Sequence, residues 1–289
     1  MTSHDPLSSP RSGEGDREAV EGPGRRSDRR AVEGPGRRSD RRAVQGRPNA
    51  ESPSVSPASP ASHLPIRSAN REESSTNLAH VEAWIFDMDD TLYPAEQGVM
   101  RLVQERINAF MVGAVGLPTD EARTLQRQFL DEYGTTLAGL MANYAVDPKH
   151  FLDKVHDVPL DSLEPHPELA EALLALPGRK FVLTNAARSH ADRVLDRLGI
   201  TPCFEAVHAI EDMDLTPKPA PSTFRRFLDL HDIAAHHAVF FEDTPRNLEP
   251  AKAMGMTTVL VGDGRGRPVG DWIDHITPDL MSFLRPHTR

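Results

Sequence analysis

A single cysteine, Cys203, stands in the 289 residues. No disulfide framework is possible within the chain, and nothing in it demands an oxidising compartment. No run of about 18 apolar residues occurs, so no membrane span is expected. The first 30 residues lack the apolar core of a signal peptide, and their paired arginines have no hydrophobic segment behind them. Secretion is therefore not expected, and the cytoplasm is the expected location. Positive charge is also in deficit: 33 Lys and Arg face 43 Asp and Glu, a net charge of -10. That balance argues against a nucleic-acid-binding protein as a whole.

What is present falls into two unlike parts. Residues 1–78 are rich in Arg, Ser, Pro, Gly and Glu and nearly free of aromatic and β-branched residues. Such a segment cannot bury enough apolar surface to offset the entropy of ordering it, so a disordered tail is expected. It carries a twelve-residue direct repeat, Ala19–Arg30 then Ala31–Arg42, with a decaying copy from Ala43. The unit is too short and too polar to stack as a solenoid. The alternative is an Arg-rich arm for nucleic acid or a partner. Acidic residues nearly balance its arginines, so nucleic acid is not the expected partner.

From about His80 the pattern becomes globular, over about 205 residues, a length that suits one α/β domain with an insertion. Between 95 and 160 the apolar positions recur at helical spacing, as at Val99, Leu102, Val103, Ile107, Phe110 and Met111, and no strand signal appears. After 160, short apolar runs alternate with helical stretches of about ten residues, a pattern that predicts right-handed βαβ units and a parallel sheet. The runs are Lys180–Asn185, Ala206–Ile210, Ala238–Asp243 and Thr257–Val261, the last clear strand. The expected organisation is a core of 79–94 plus 161–289, an all-helical insert over 95–160, and the tail.

The remaining strand carries the chemistry. Val81–Phe86 is a nearly unbroken apolar run that leads into Asp87, Asp89 and Asp90. It reads as a buried parallel strand with carboxylates at its carboxyl end, where open α/β sheets place ligands. Asp87 and Asp89 would point to opposite faces in a regular strand, so a turn after Asp87 is needed to aim both at one atom. Thr184 and Asp243 end two other strands of the same sheet, so the three positions can meet although far apart in sequence. Crowded carboxylates cost free energy unless a cation shares their site. Two acids at one strand end, Glu242 and Asp243, suit a hard cation with oxygen ligands, hence Mg²⁺. The histidines show no zinc spacing with Cys203.

Phe-Asp87-Met-Asp89-Asp90-Thr91-Leu-Tyr-Pro94 resembles the first motif of the haloacid-dehalogenase-like phosphatases, in the form seen in their pyrimidine 5'-nucleotidase branch. Phe-Val-Leu-Thr184-Asn185 is similar to the second motif, Lys218 before Pro219 to the third, and Glu242-Asp243-Thr-Pro-Arg-Asn247 to the fourth. All four occur in order between Trp84 and Val261. The resemblance implies a doubly wound, Rossmann-like sheet with a helical cap. It also implies a Mg²⁺-dependent phosphatase acting on a small phosphate monoester through an aspartyl-phosphate. Asp87 is then the nucleophile, and Asp89 is the general acid/base, binding the metal only through its backbone carbonyl.

Crowding of acids is expected to favour a protonated Asp89 in half of the cycle; a metal-ligand role through its side chain is the alternative. Asp90 is expected to serve the turn. Thr184 and Asn185 would hold phosphate oxygens or simply form a strand-end turn. Lys218, restrained by prolines on both sides, would neutralise Asp87 and the phosphate. Asp243 is the expected direct metal ligand and Glu242 an outer one, since many relatives have Asp at that position. Asn247 would orient metal-bound water or cap a helix, and Arg188 would face phosphate or solvent. Tyr133-Gly-Thr135-Thr-Leu also looks like the nucleotidase branch. Its Tyr and Thr would stack on and bond a base, or pack on a neighbouring helix. Phosphoglycolate or sugar-phosphate hydrolysis, phosphoglucomutase-like transfer, and a regulatory phosphate-binding module are the competing functions.

Overall fold

The computed structural model describes residues 78–287, and the repeat-bearing tail, expected to be disordered, lies outside the described residues apart from Leu78. Six parallel strands form one sheet in the order β3-β2-β1-β4-β5-β6. They are β1 (Ala83–Phe86), β2 (Arg179–Leu183), β3 (Ala206–His208), β4 (Ala238–Glu242), β5 (Thr257–Val261) and β6 (His275–Thr277). The doubly wound parallel sheet expected from the alternating pattern is what forms.

Strand alternation explains the layering. Trp84 and Phe86 of β1, with Val239 and Phe241 of β4, join a cluster that includes Leu173 of α5 (Pro167–Ala175), Leu195 of α6 (Arg188–Leu198) and Leu284 of α9 (Leu280–Leu284). The intervening Ala83, Ile85, Ala238 and Phe240 face the other side. There they meet Phe224 and Phe227 of α7 (Pro221–His231) and Leu248 of α8 (Pro245–Ala253). Both faces are covered, which is why these strands read as continuous apolar runs rather than as alternating ones. Burying each such aromatic contributes about 1.5–3 kcal/mol. Gly178 (φ +78) turns the chain into β2; a Cβ there would stand 2.3 Å from the Glu82 carbonyl oxygen.

The winding direction reverses between β1 and β4. From β1 the chain moves outward to β2 and β3, whereas from β4 it moves the other way to β5 and β6. A crevice opens at the carboxyl ends of the two central strands. In register, Phe86 pairs with Phe241, so Asp87 and Glu242 follow side by side.

Between β1 and α5 lie α1 (Val99–Val115), α2 (Thr119–Tyr133), α3 (Thr136–Asn143) and α4 (Pro148–Val155), with no strand among them. They share a separate apolar cluster that includes Met111, Phe129, Leu140 and Phe151. Caps fix their starts: Thr135 accepts from the Ala138 amide at 3.1 Å, and Asp147 accepts from Lys149 ahead of Pro148. No helix among the described residues is long and apolar enough to cross a membrane.

Candidate active site

The buried ammonium of Lys218, 1% exposed, lies between two carboxylates. It donates to Asp87 Oδ1 at 2.6 Å and to Glu242 Oε2 at 2.8 Å. It also sits 5.2 Å from the centre of the Phe240 ring, in reach of a cation–π contact. Burial alone would lower the Lys218 pKa, but Asp87 and Glu242 outweigh it and hold the ammonium above its ordinary value. Asp87 is 6% exposed, accepts a second bond from the Thr91 hydroxyl at 3.3 Å, and is fixed to β4 by its own amide. Asp90 adopts a left-handed conformation (φ 60), which makes the turn that the sequence required after Asp87.

Asp87, Glu242 and Asp243 each offer a carboxylate oxygen within 4.8 Å of the others. Burial, reinforced by the Glu242 charge, pushes Asp87 up to about 7. Burial likewise takes Glu242 to about 7, against the pull of Lys218. Burial and the Asp87 charge take Asp243 to about 6. Both Glu242 oxygens are engaged, Oε2 by Lys218 and Oε1 by Asn247 Nδ2 at 3.0 Å and the Thr244 amide at 3.2 Å. Asp87 is likewise engaged at both oxygens, Oδ1 by Lys218 and Oδ2 by Thr91, so hydrogen bonding does not rank the three carboxylates as ligands. The donor set fits a hard cation: it contains only carboxylate oxygens, and Asn247 Oδ1 beside it is buried with no hydrogen-bond partner among the described residues.

Asp89 departs from expectation in its charge state. Its Oδ1 accepts from the Tyr93 hydroxyl at 2.6 Å and lies 3.2 Å from His190 Nε2. Burial would raise its pKa, but His190 and the Tyr93 bond outweigh burial and hold it below the ordinary value. The crowding of acids that favours a proton is thus overcome by two donors the linear pattern did not identify. Tyr93 itself is pushed up, by burial first and then by Asp89, so it serves as a donor.

Thr184 and Asn185 follow β2 at the same sheet edge. The Thr184 hydroxyl accepts from the Ala186 amide at 3.0 Å, the geometry of a strand-end turn. Asn185 has a partner that the motif did not indicate. Its side chain bonds the Lys218 backbone in both directions, Nδ2 to the carbonyl oxygen at 3.0 Å and Oδ1 from the amide at 2.8 Å. The side chain therefore ties the lysine loop to the end of β2. Arg188 bonds Val207 O and Asp212 and so faces β3, away from the crevice.

The Tyr133–Thr135 turn abuts the lysine loop. Gly134 (φ +85) lies where a Cβ would be 3.2 Å from Pro219 Cδ and 3.4 Å from Lys218 O. Tyr133 is partly exposed and packs edge-on against Phe129, with its hydroxyl accepting from Asn143 at 3.1 Å. Arg246 fastens the same turn to α8, donating to Leu130 O at 2.5 Å and to Gly134 O at 2.8 Å. Replacing Gly134 with Ala is expected to destabilise by about 1–2 kcal/mol, the penalty for a left-handed residue with a Cβ. Urea unfolding reads this directly, and an unchanged midpoint would mean that the turn relaxes away from Pro219. A cavity of about 760 Å³ adjoins the site through Asp90, Thr91, Tyr93 and Asp243.

Residues 81–255 match the family model described as haloacid dehalogenase-like hydrolase. The chain belongs to this family. Phosphate metabolism protein 8 of Saccharomyces cerevisiae is 29% identical over 198 residues, an alignment that covers 62% of this chain and 61% of the yeast protein. A glyceraldehyde 3-phosphate phosphatase of Methanocaldococcus jannaschii is 26% identical over 206 residues, covering 66% of this chain and 89% of the archaeal one. In fold, the chain is similar to CbbY from Rhodobacter sphaeroides, solved in complex with phosphate. The TM-score is 0.52 at 19% identity, over 71% of this chain and 99% of that one.

Three side chains that bear on the site escaped the sequence reading as such: Tyr93, His190 and Arg246. Tyr93 sits four residues after Asp89, inside the quoted motif, and that spacing was an available signal. His190 lies 101 residues from Asp89, on an amphipathic helix like many others, and no local pattern marks it.

Proposed function

We propose that this protein is a Mg²⁺-dependent phosphomonoesterase of small phosphorylated metabolites, and that its preferred substrates are pyrimidine nucleoside 5'-monophosphates. The observation that carries the reaction class is the Asp87–Lys218 contact of 2.6 Å at the switch point of the sheet, with Glu242 and Asp243 converging on it. In the first step an Asp87 oxygen attacks phosphorus. The bond from phosphorus to the leaving oxygen breaks with its electron pair, and that oxygen takes a proton from Asp89, whose carboxylate first receives it from the incoming phosphate monoanion. In the second step water attacks the same phosphorus and gives its proton to Asp89. Asp87 departs as a carboxylate and inorganic phosphate is released.

Lys218 offsets the charge that Asp87 and the phosphate bring together. A Mg²⁺ held by Asp243, Asp87 and, as the family resemblance implies, the Asp89 backbone carbonyl would supply the rest of that positive charge. Residues 95–160 act as a cap over the crevice, and their Tyr133–Thr135 turn against the lysine loop supports a base-contacting role for Tyr133 and Thr135. Thr184 contributes to the phosphate cradle. The archaeal relative, a glyceraldehyde 3-phosphate phosphatase, favours a second reading in which the substrate is a phosphorylated sugar or acid. A panel of nucleotides, triose and hexose phosphates and phosphoglycolate, assayed by phosphate release with Mg²⁺, separates the two. UMP or CMP at the head of the panel is the expected result. A sugar phosphate at its head would overturn the nucleotide preference, and an isomerised product without phosphate would overturn hydrolysis.

The carboxyl cluster also sets a pH dependence. Asp87, Glu242 and Asp243 sit at about 7, 7 and 6 without a cation, above the ordinary carboxyl value. Between that ordinary value of about 4 and these raised values, the folded protein holds more protons than the unfolded chain, so rising pH removes stability from the metal-free fold. A divalent cation binds the ionised carboxylates and reverses the loss, by about 2.7 kcal/mol at a hundredfold excess over Kd. The rise in Tm on adding Mg²⁺ is therefore expected to be larger at pH 8 than at pH 5; equal rises would contradict a cation at these carboxylates.

A further inference from the structure

We propose that His190, together with Tyr93, is a positioning residue that orients Asp89 for proton transfer to the leaving group. The role rests on Asp89 acting as the acid of the proposed hydrolysis. Two donors from different elements meet on one oxygen of that carboxylate. The Tyr93 hydroxyl reaches Oδ1 at 2.6 Å and His190 Nε2 reaches it at 3.2 Å. No hydrogen bond to Oδ2 is found among the described residues, and the Asp89 side chain keeps 13% exposure. Asp89 is thus held by one oxygen and presents the other.

The holder is itself rigid. His190 is 0% exposed in the first turn of α6. Its ring centre lies 4.8 Å from that of His156. The His156 ring is in turn fixed by Nδ1, which donates to Leu152 O at 3.1 Å. With Asp89 as the acceptor, the hydrogen of His190 is on Nε2, and its Nδ1 is buried with no hydrogen-bond partner among the described residues. A buried polar atom left unbonded costs stability, which would favour an apolar residue at this position if packing were its only task. Sites that transfer protons need their carboxylates held within a fraction of an ångström, and packed neighbours with hydrogen bonds supply that restraint.

Leaving-group dependence separates positioning from packing. An alkyl phosphate needs a proton on its departing oxygen, whereas p-nitrophenyl phosphate releases a stable anion. kcat/KM reports the steps through the first irreversible one, the transfer to Asp87. His190→Leu removes the donor and keeps most of the volume; His190→Gln returns a donor amide near the Nε2 position. His190→Leu is expected to lower kcat/KM on the best alkyl phosphate at least about tenfold, part of the 10²–10⁴ that general acid catalysis supplies. On p-nitrophenyl phosphate the expected change is under about threefold, and His190→Gln is expected to recover most of the loss.

Tyr93→Phe keeps the ring and is expected to show the same split, which preserves the test should His190→Leu not fold. Equal losses on the two esters, or a Gln variant as impaired as Leu, would overturn the positioning role alone. A parent enzyme that releases phosphate from neither ester would overturn the hydrolase reading, and this role with it.

Discussion

Asp87→Asn is expected to abolish phosphate release while leaving the metal-free fold at least as stable as the parent. Loss of a catalytic nucleophile lowers turnover by on the order of 10⁴ or more in hydrolases that form covalent intermediates. Asn fills the same volume and its carbonyl oxygen can still accept from Lys218. What it removes is one of the two buried carboxyls that share one ammonium. Burial and Glu242 push Asp87 up to about 7, so this carboxyl costs folding free energy that builds from its ordinary value to about 7 and is complete above it. The variant lacks this cost. Its Tm relative to the parent should therefore climb between about pH 4 and pH 7 in the presence of EDTA and level off above. A variant that retained more than about one part in a hundred of parent turnover would contradict the assignment of the nucleophile. One that melted well below the parent at pH 8 would contradict the electrostatics.

Lys218→Met should fail in the opposite sense, losing both stability and activity. Among the described residues the ammonium is the one cation that bonds both Asp87 and Glu242, in a space closed to solvent. Breaking such a buried pair from one side typically costs about 3–5 kcal/mol, because the partner charge is left uncompensated. For a domain of this size that is a fall in Tm of about 10 °C. The fall should be larger at pH 8 than at pH 5, since at low pH Asp87 and Glu242 relieve the repulsion by taking up protons. Turnover is expected to drop by about 10²–10³, the scale for removing one preorganised charge from a transition state. Lys218→Arg is not expected to rescue it, because a planar guanidinium does not fit a slot shaped for a compact ammonium. Melting curves in EDTA at the two pH values, with kcat/KM at saturating Mg²⁺, check the pair of effects. An unchanged Tm would mean the ammonium is not part of the buried cluster.

The sequence made some of this legible and hid the rest for physical reasons. β1 and β4 were readable because strands covered on both faces need unbroken apolar runs, and Ala-Trp-Ile-Phe and Ala-Val-Phe-Phe have no other simple reading. β6 was missed: His275-Ile-Thr277 is three residues long, its Ile276 is exposed, and only pairing with β5 makes it a strand. The expected strand through Ile210 stops at His208, because the chain turns into a short 3-10 segment from Ile210. α8 begins at Pro245, where a proline suits the first helical turn.

The same division runs through the site. Asp87, Lys218, Glu242 and Asp243 could be placed at one sheet edge from motif and strand end alone. Asn185 could not be assigned to the Lys218 backbone, 33 residues away, nor His190 to Asp89, because contacts of that span leave no trace in local pattern. The reversed charge preference of Asp89 follows from that second contact.

The proposed hydrolysis requires a phosphoryl group to pass through the Asp87 carboxylate. Its most direct test is mass analysis of peptides from a turnover mixture quenched in acid, with the best substrate of the panel and Mg²⁺ present. The expected result is one added phosphoryl group on the peptide that carries Asp87, removed by hydroxylamine and absent from Asp87→Asn. A phosphoryl group on any other residue, or burst kinetics of an accumulating intermediate with the Asp87 peptide unmodified, would contradict it.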